Sequence, residues 1–321
     1  MNLRTSARLI ETRLVKSVMT INPLSLQRPI AHVVEAGGKR LRPIIVLLAC
    51  EAAGGKALDA LDAAVSVELL HTFTLVHDDI MDNAALRRGR ATVHTQWDSH
   101  TAILAGDTIA ALAMQSLVKR GHPRMAGITT IFSKAFVDVC VGQAIDRELE
   151  HSKNVDMPSY LHMIDLKTAA MFSASAAIGG CIGSAVAKRT KALATFGREL
   201  GLAFQIRDDA LDVTADPKHF GKDAGGDIRE GKKAFLFVAA RSIARTNNDR
   251  ALLDKYAKNK GLHGSDVAKI FELYQRGALQ LAERAIAART RKAITALHTL
   301  PLSAARGALE KLALSMTSRT Y

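Results

Sequence analysis

LDALDAAVSVELLHTFTLVHDDIMD, residues 58–82, contains neither glycine nor proline. Its apolar residues recur at helical spacing, so it predicts one long helix, Leu58–Asp82, that ends in an acidic turn. The same period continues outward. It predicts helices in a stretch ending near Glu35 and at Pro43–Ala53, Thr101–Arg120, Gly127–Glu150, Met157–Ile182 and Lys188–Thr214. Further helices are expected at Lys232–Thr246, Asp249–Lys258, Gly264–Arg291 and Leu302–Leu314. Breakers fall between them at Gly54-Gly55, Gly121-His122-Pro123, Asp216-Pro217 and Gly225-Gly226. No run shows the strict alternation of a half-buried strand, and the fold class is read as all-α. No linker, low-complexity tract or repeat is visible, so residues 1–321 are read as a single domain.

Composition narrows the function. The chain has 321 residues, 48% of them hydrophobic and 23% charged, which excludes a mostly disordered protein. Its net charge of +13 favours anionic partners. The basic residues are spread from Arg4 to Arg319, and one Trp with 5% aromatics offers little for base stacking, so no nucleic-acid partner is expected. Cys50, Cys140 and Cys181 stand singly, which suits neither a disulfide framework nor a zinc site and points to a reducing, cytoplasmic setting. The N-terminus shows no apolar block followed by a cleavage site. Thr168–Ala187 lacks charged side chains and includes Gly179-xxx-Gly183. It is built mainly of Ala, Gly and Ser, so it is read as a buried core helix, with no membrane span expected.

Two acidic patterns carry the chemistry: Asp78-Asp79-Ile-Met-Asp82 and Asp208-Asp209-Ala-Leu-Asp212. On a helix, positions i and i+4 share a face, which sets Asp78 beside Asp82 and Asp208 beside Asp212. Clustered carboxylates repel one another, and magnesium offsets that while accepting substrate phosphate as a further ligand. Counter-charges lie nearby. Gly37-Gly38-Lys39-Arg40-Leu41-Arg42-Pro43 places three cations beside two glycines just before a helix, a phosphate-favouring pattern. Leu86-Arg87-Arg88-Gly89, Lys167-Thr168 and Gly221-Lys222 add more, and His71 lies two turns before Asp78.

Taken with Gly106-Asp107, Gly142-Gln143 and Phe204-Gln205-Ile-Arg-Asp208, these motifs resemble the trans-isoprenyl diphosphate synthases, the farnesyl and geranylgeranyl diphosphate synthase family. The resemblance implies a large antiparallel helical bundle of the isoprenoid synthase type around a central active-site cavity, a homodimer, and three magnesium ions bound with the allylic diphosphate. The implied substrates are isopentenyl diphosphate and an allylic primer: dimethylallyl, geranyl or farnesyl diphosphate. It further implies that Lys39, Arg42, His71 and Arg88 bind the isopentenyl diphosphate. Arg87, Lys167, Thr168, Gln205, Lys222 and Lys232 would hold the allylic diphosphate. Asp78, Asp82, Asp208 and Asp212 would ligate the metals, with Asp79 and Asp209 orienting them. These six aspartates and Lys167 form the expected catalytic set. Phe73 and Thr74, just before Asp78, would set product length, favouring geranylgeranyl diphosphate and next farnesyl diphosphate over longer chains.

Two departures from the family pattern stand out. Ala234 in Lys232-Lys233-Ala234 replaces the usual Thr, and the chain ends Ser318-Arg319-Thr320-Tyr321 without the basic tail of some farnesyl synthases. A terpene cyclase would show Ser/Thr and Glu at the positions held by Asp212 and Asp216 and would not need the Gly38–Pro43 motif. A non-catalytic subunit of a heteromeric synthase would typically lose Asp motifs that are intact here.

Overall fold

The computed structural model describes residues 3–152, 154–214, 225–259 and 261–319. The helix that decides the fold, α4 (Leu61–Met81), follows a 3-10 turn at Ala57–Ala60 and is buried on most of its circumference from Ala63 to Val76. A helix apolar nearly all round belongs inside a core. Its end is tightly specified. Asn83 takes φ 49°, its N–H donates to Ile80 O and the Ala84 N–H donates to Asp79 O. This is a Schellman stop, with Asn in the left-handed position usually given to Gly.

Before α4 come α1 (Leu3–Val18), α2 (Leu24–Val34) and α3 (Leu41–Ala52). The first two replace the single stretch expected to end near Glu35. After α4, the sequence reading found no strand, yet β1 (Leu86–Arg87) and β2 (Arg90–Ala91) pair antiparallel. The turn residues Arg88 and Gly89 both have positive φ, 54° and 74°, as a type I′ hairpin requires. Two-residue strands are too short to show alternation. Then follow α5 (Val93–Gln96), α6 (Ser99–Val118), which begins with the Asp98 side chain accepting from Thr101 N, and α7 (Met125–His151).

The expected helix Met157–Ile182 is α8 (Met157–Ile164), a π turn over Asp165–Ala169, and α9 (Ala170–Ile182). Helix α10 (Ala187–Thr214) carries the second Asp motif. Beyond it are α11 (Gly226–Glu230), α12 (Phe235–Ile243), α13 (Asn247–Asn259), α14 (Ser265–Leu273), a second π turn at Tyr274–Ala278, α15 (Leu279–Leu297) and α16 (Ala304–Thr317). The sequence pattern gives no helix at the short α11, and α12 starts at Phe235, three residues after the expected Lys232.

Contacts group the chain into two compact units. One comprises Met1–Phe136, Ala174–Ala194 and Leu300–Leu309; the other comprises Val137–Ser173, Thr195–Thr299 and Glu310–Tyr321. In the first, α4 packs along α6, and α9 lies against α3 so closely that a Cβ at Gly179 would collide with Val46 O and one at Gly183 with Cys50 O. Within the charge-free stretch, Ala170–Ile182 is therefore a core helix whose close packing the glycines permit. The stretch does not stay helical to Ala187: it turns at Gly183-Ser184, where Ser184 takes φ 63°. In the second, Tyr160, Phe235, Phe237, Tyr256 and Ile270 lie in one apolar cluster.

Candidate active site

The first Asp motif closes α4. Asp82 caps the helix and its N–H donates to Asp78 O across one turn, which keeps the two residues on one face. Asp82 is exposed and Asp78 half-buried. Asp79, on the next face, is only 6% exposed and accepts from Arg87 Nε at 2.6 Å. Burial raises the Asp79 carboxyl above its ordinary range, and the Arg87 charge pulls the other way. The hairpin thus anchors itself to the helix end through Arg87 and lifts Arg88 to its tip. There Arg88 Nη1 donates to Gly37 O. Its guanidinium lies so close to Gly38 that a Cβ would meet it at 2.8 Å. His32, on α2, steadies the second strand through Ala91 O at 2.8 Å and Arg90 at 3.2 Å.

The three cations of the Gly37–Pro43 stretch divide their work. Arg40, itself at φ 47°, is buried and donates to Glu11, Glu68 and Val34 O, so it is a structural tie rather than an anion-facing group. Lys39 is exposed. Arg42 Nη1 lies 3.2 Å from His71 Nε2. A guanidinium can only donate, so Nε2 accepts and the imidazole proton sits on Nδ1. Burial, then the charges of Arg42 and Arg88, holds His71 well below its ordinary pKa, and it is neutral. Arg88 is itself lowered by burial and by the charge of Arg40. Cations that disfavour one another in this way make a local field that favours a phosphate anion.

On the same helix, Phe73 is 9% exposed and meets Phe136 edge-on at 5.1 Å and the His77 ring at 4.6 Å. Thr74 is half-buried, its hydroxyl donating to His71 O.

In the second unit, α10 places Asp208 and Asp212 one turn apart and Asp209 on the neighbouring face. Asp208 is ion-paired with Arg319, whose guanidinium also lies 4.3 Å over the Phe204 ring. Asp212 accepts from Asp227 N at 3.1 Å at the start of α11, and burial raises its carboxyl. Asp209, 7% exposed, accepts from Tyr160, Gln205 and the Phe235 N–H. Burial and then the Asp227 charge push Asp209 up to about 7, against the pull of those three hydrogen bonds.

Lys167 and Thr168 sit in the π turn, a feature that often marks functional positions. A Cβ at Gly142 would collide with the Lys167 backbone, so that glycine brings α7 against the turn. Lys167 pairs with Asp146, and Thr168 Oγ1 donates to Gln205 Oε1 at 2.8 Å. Lys232 is exposed beside Glu230 at 2.8 Å, while its neighbour Lys233 is buried and donates to Leu149 O and Glu150 O at the end of α7. Ala234 is the N-cap of α12 and gives it no side-chain cap. Lys222 and Gly221 lie outside the described residues. Among the described residues, no three His, Cys, Asp or Glu side chains form a ready metal cage.

The polyprenyl synthetase family model matches residues 23–274. The chain belongs to the polyprenyl synthetase family. As a member it is a prenyltransferase with the all-α isoprenoid synthase fold. It is 36% identical to the short chain isoprenyl diphosphate synthase of Methanothermobacter thermautotrophicus over 97% of this chain and 95% of that one. It is 39% identical to the geranylgeranyl diphosphate synthase of Saccharolobus solfataricus over 90% and 88% respectively. The crystal structure of geranylgeranyl pyrophosphate synthetase from Pyrococcus horikoshii superposes with a TM-score of 0.92 at 39% identity, covering 99% of this chain and 97% of that one.

Sequence reasoning assigned nothing to Tyr160, Arg319 or Phe136. Their partners lie 49, 111 and 63 residues away, so no local spacing signals them.

Proposed function

We propose that this prenyltransferase joins isopentenyl diphosphate to an allylic diphosphate, 1′-4 and head to tail, in a magnesium-dependent reaction whose product is geranylgeranyl diphosphate. The observation that carries the reading is the Asp78–Asp82 turn, locked at a helix end and tied through Asp79 to the arginine hairpin.

Magnesium fits the donor set. Asp78, Asp82, Asp208 and Asp212 would hold it, all hard oxygen ligands, and Asp208 already attracts a cationic group in Arg319. When bound, magnesium neutralises the charge that grows on the leaving diphosphate. Lys39, Arg42, His71 and Arg88 bind the isopentenyl diphosphate, with neutral His71 serving as a hydrogen-bonding group rather than a charge. Arg87, Lys167, Thr168, Gln205, Lys222 and Lys232 hold the allylic diphosphate. The allylic C–O bond breaks with its electron pair leaving on diphosphate. The isopentenyl double bond then attacks the allylic carbon, and the proton released goes to the departed diphosphate. The chain's own contribution is to position the two substrates and keep water from the cation.

Phe73 supports the twenty-carbon product. It stands five residues before Asp78, roughly 7.5 Å along the helix axis, and Phe136 backs it. A chain growing along α4 meets that ring, while small Thr74 leaves space one step nearer. Exposed apolar side chains on α6 and α7, including Leu104 at 59% and Val137 at 61%, support a homodimer. Light scattering at micromolar concentration tests it: a fully active monomer refutes the dimer. Incubation with magnesium, isopentenyl diphosphate and each allylic primer, followed by mass analysis, tests the reaction. No elongated product refutes it, and a fifteen-carbon end product refutes the assigned length.

A further inference from the structure

Asp209 is the buried member of the second Asp motif, and what holds it is a chain of polar groups. Tyr160, 1% exposed, donates its hydroxyl to Asp209 Oδ2 at 2.5 Å. Phe235 N donates to the same oxygen at 2.8 Å, and Gln205 Nε2 donates to Oδ1 at 2.9 Å. Gln205 in turn accepts from Thr168 Oγ1 at 2.8 Å. One carboxylate therefore joins α8, the π turn with Lys167 and Thr168, α10, and the start of α12 just after Lys232. At the last of these it supplies the helix-end acceptor that Ala234 lacks.

The Tyr160 ring packs edge-on to Phe235 at 5.8 Å, a contact phenylalanine would make as well. The hydroxyl needs its own reason, because a buried polar group stabilises only when it is partnered. Successive helix residues turn by about 100°. Fixing Asp209 toward the core therefore fixes the direction in which Asp208 and Asp212 leave the helix.

We propose that Tyr160 is a positioning residue: its hydroxyl sets Asp209, and through it the orientation of Asp208, Asp212 and the Lys167–Thr168 turn toward a magnesium-bound diphosphate. This rests on the reaction proposed above. Tyr160 touches no substrate; it acts through Asp209.

The test compares the parent with Tyr160→Phe, which keeps the ring and loses the donor. Calorimetry with magnesium and inorganic pyrophosphate should show about tenfold weaker binding, the size of one lost hydrogen bond to a charged group. The KM for the allylic diphosphate should rise in parallel, while that for isopentenyl diphosphate stays unchanged and thermal unfolding remains cooperative. Parent-like pyrophosphate affinity and allylic KM would overturn the assignment. So would a loss that moves both substrate constants equally, with only the melting temperature to account for it. A double-mutant cycle with Asp209→Asn provides a second arm. If Tyr160 acts through Asp209, removing the hydroxyl in the Asp209→Asn background should cost less than about twofold further, and a full further loss of about tenfold overturns the assignment. A parent chain that binds magnesium pyrophosphate but yields no prenyl product would refute the proposed reaction, while the calorimetric comparison still decides the role of Tyr160.

Discussion

Arg319 donates to Asp208 Oδ1 and stacks over Phe204, while Arg207 Nε holds Thr317 O at 2.8 Å. The C-terminal end of α16 is thereby fastened beside the first carboxylate of the second Asp motif. The guanidinium occupies Asp208 Oδ1 and would compete with magnesium for that oxygen. Arg319→Ala should therefore lower the magnesium concentration for half-maximal rate by about two- to fivefold, the size of a partly exposed ion pair. A magnesium titration of the initial rate checks this.

Asp78→Ala and Asp208→Ala should each lower kcat by at least about 10²-fold, because they remove charge stabilisation that acts mostly in the transition state. Circular dichroism should be unchanged. Rate assays at saturating substrate check the loss, and an unaltered kcat in a folded variant would contradict the metal-site assignment.

The Phe73–Phe136 contact makes the floor rigid. Phe73→Ala should shift products beyond twenty carbons, and Thr74→Phe should shorten them toward fifteen. Overpacking an apolar pocket costs about 1–3 kcal/mol, roughly 5- to 200-fold in the choice between stopping and adding a unit. Mass analysis of products made with excess isopentenyl diphosphate reads the outcome.

His71 gives the fold a pH dependence with a definite sign. Its folded pKa lies well below 6.5, depressed by burial and by Arg42. The unfolded chain therefore takes up a proton that the folded chain refuses. Stability from this site is complete above about pH 6.5 and falls as the pH drops toward the folded value, by about 1.4 kcal/mol per unit. Denaturant unfolding at pH 7.5 and 5.5 should show that fall, and His71→Gln should flatten it.

Ala234 caps α12 with φ −67° and ψ 175°, an N-cap geometry without a capping side chain. Ala234→Thr should raise the unfolding free energy by about 1 kcal/mol. Phe235 N already donates to Asp209, so the added hydroxyl would serve the N–H of Leu236 or Phe237. Chemical denaturation checks it, and an unchanged unfolding free energy would contradict the missing cap.

The sequence by itself determined what is local. The period of α4, the i, i+4 placing of Asp78 with Asp82 and of Asp208 with Asp212, and the core character of the Gly179–Gly183 segment all follow from contacts within a few turns or from residue size. Only the tertiary structure decided which groups those residues meet. Arg40 and Arg42 are two residues apart, yet one is consumed by Glu11 and Glu68 and the other faces His71. Arg87 closes β1 and Arg88 opens the left-handed hairpin turn, which sends two adjacent arginines to different partners and is too short to leave a periodic trace. The π turn at Lys167 changes helical phase without a composition signal. Asp208 and Asp209 look identical in the sequence; one takes a cation from 111 residues downstream and the other a hydroxyl from 49 residues upstream. Helical spacing fixes direction only relative to the helix's own axis. Burial, hydrogen-bond partner and charge state depend on what the rest of the chain packs against that face.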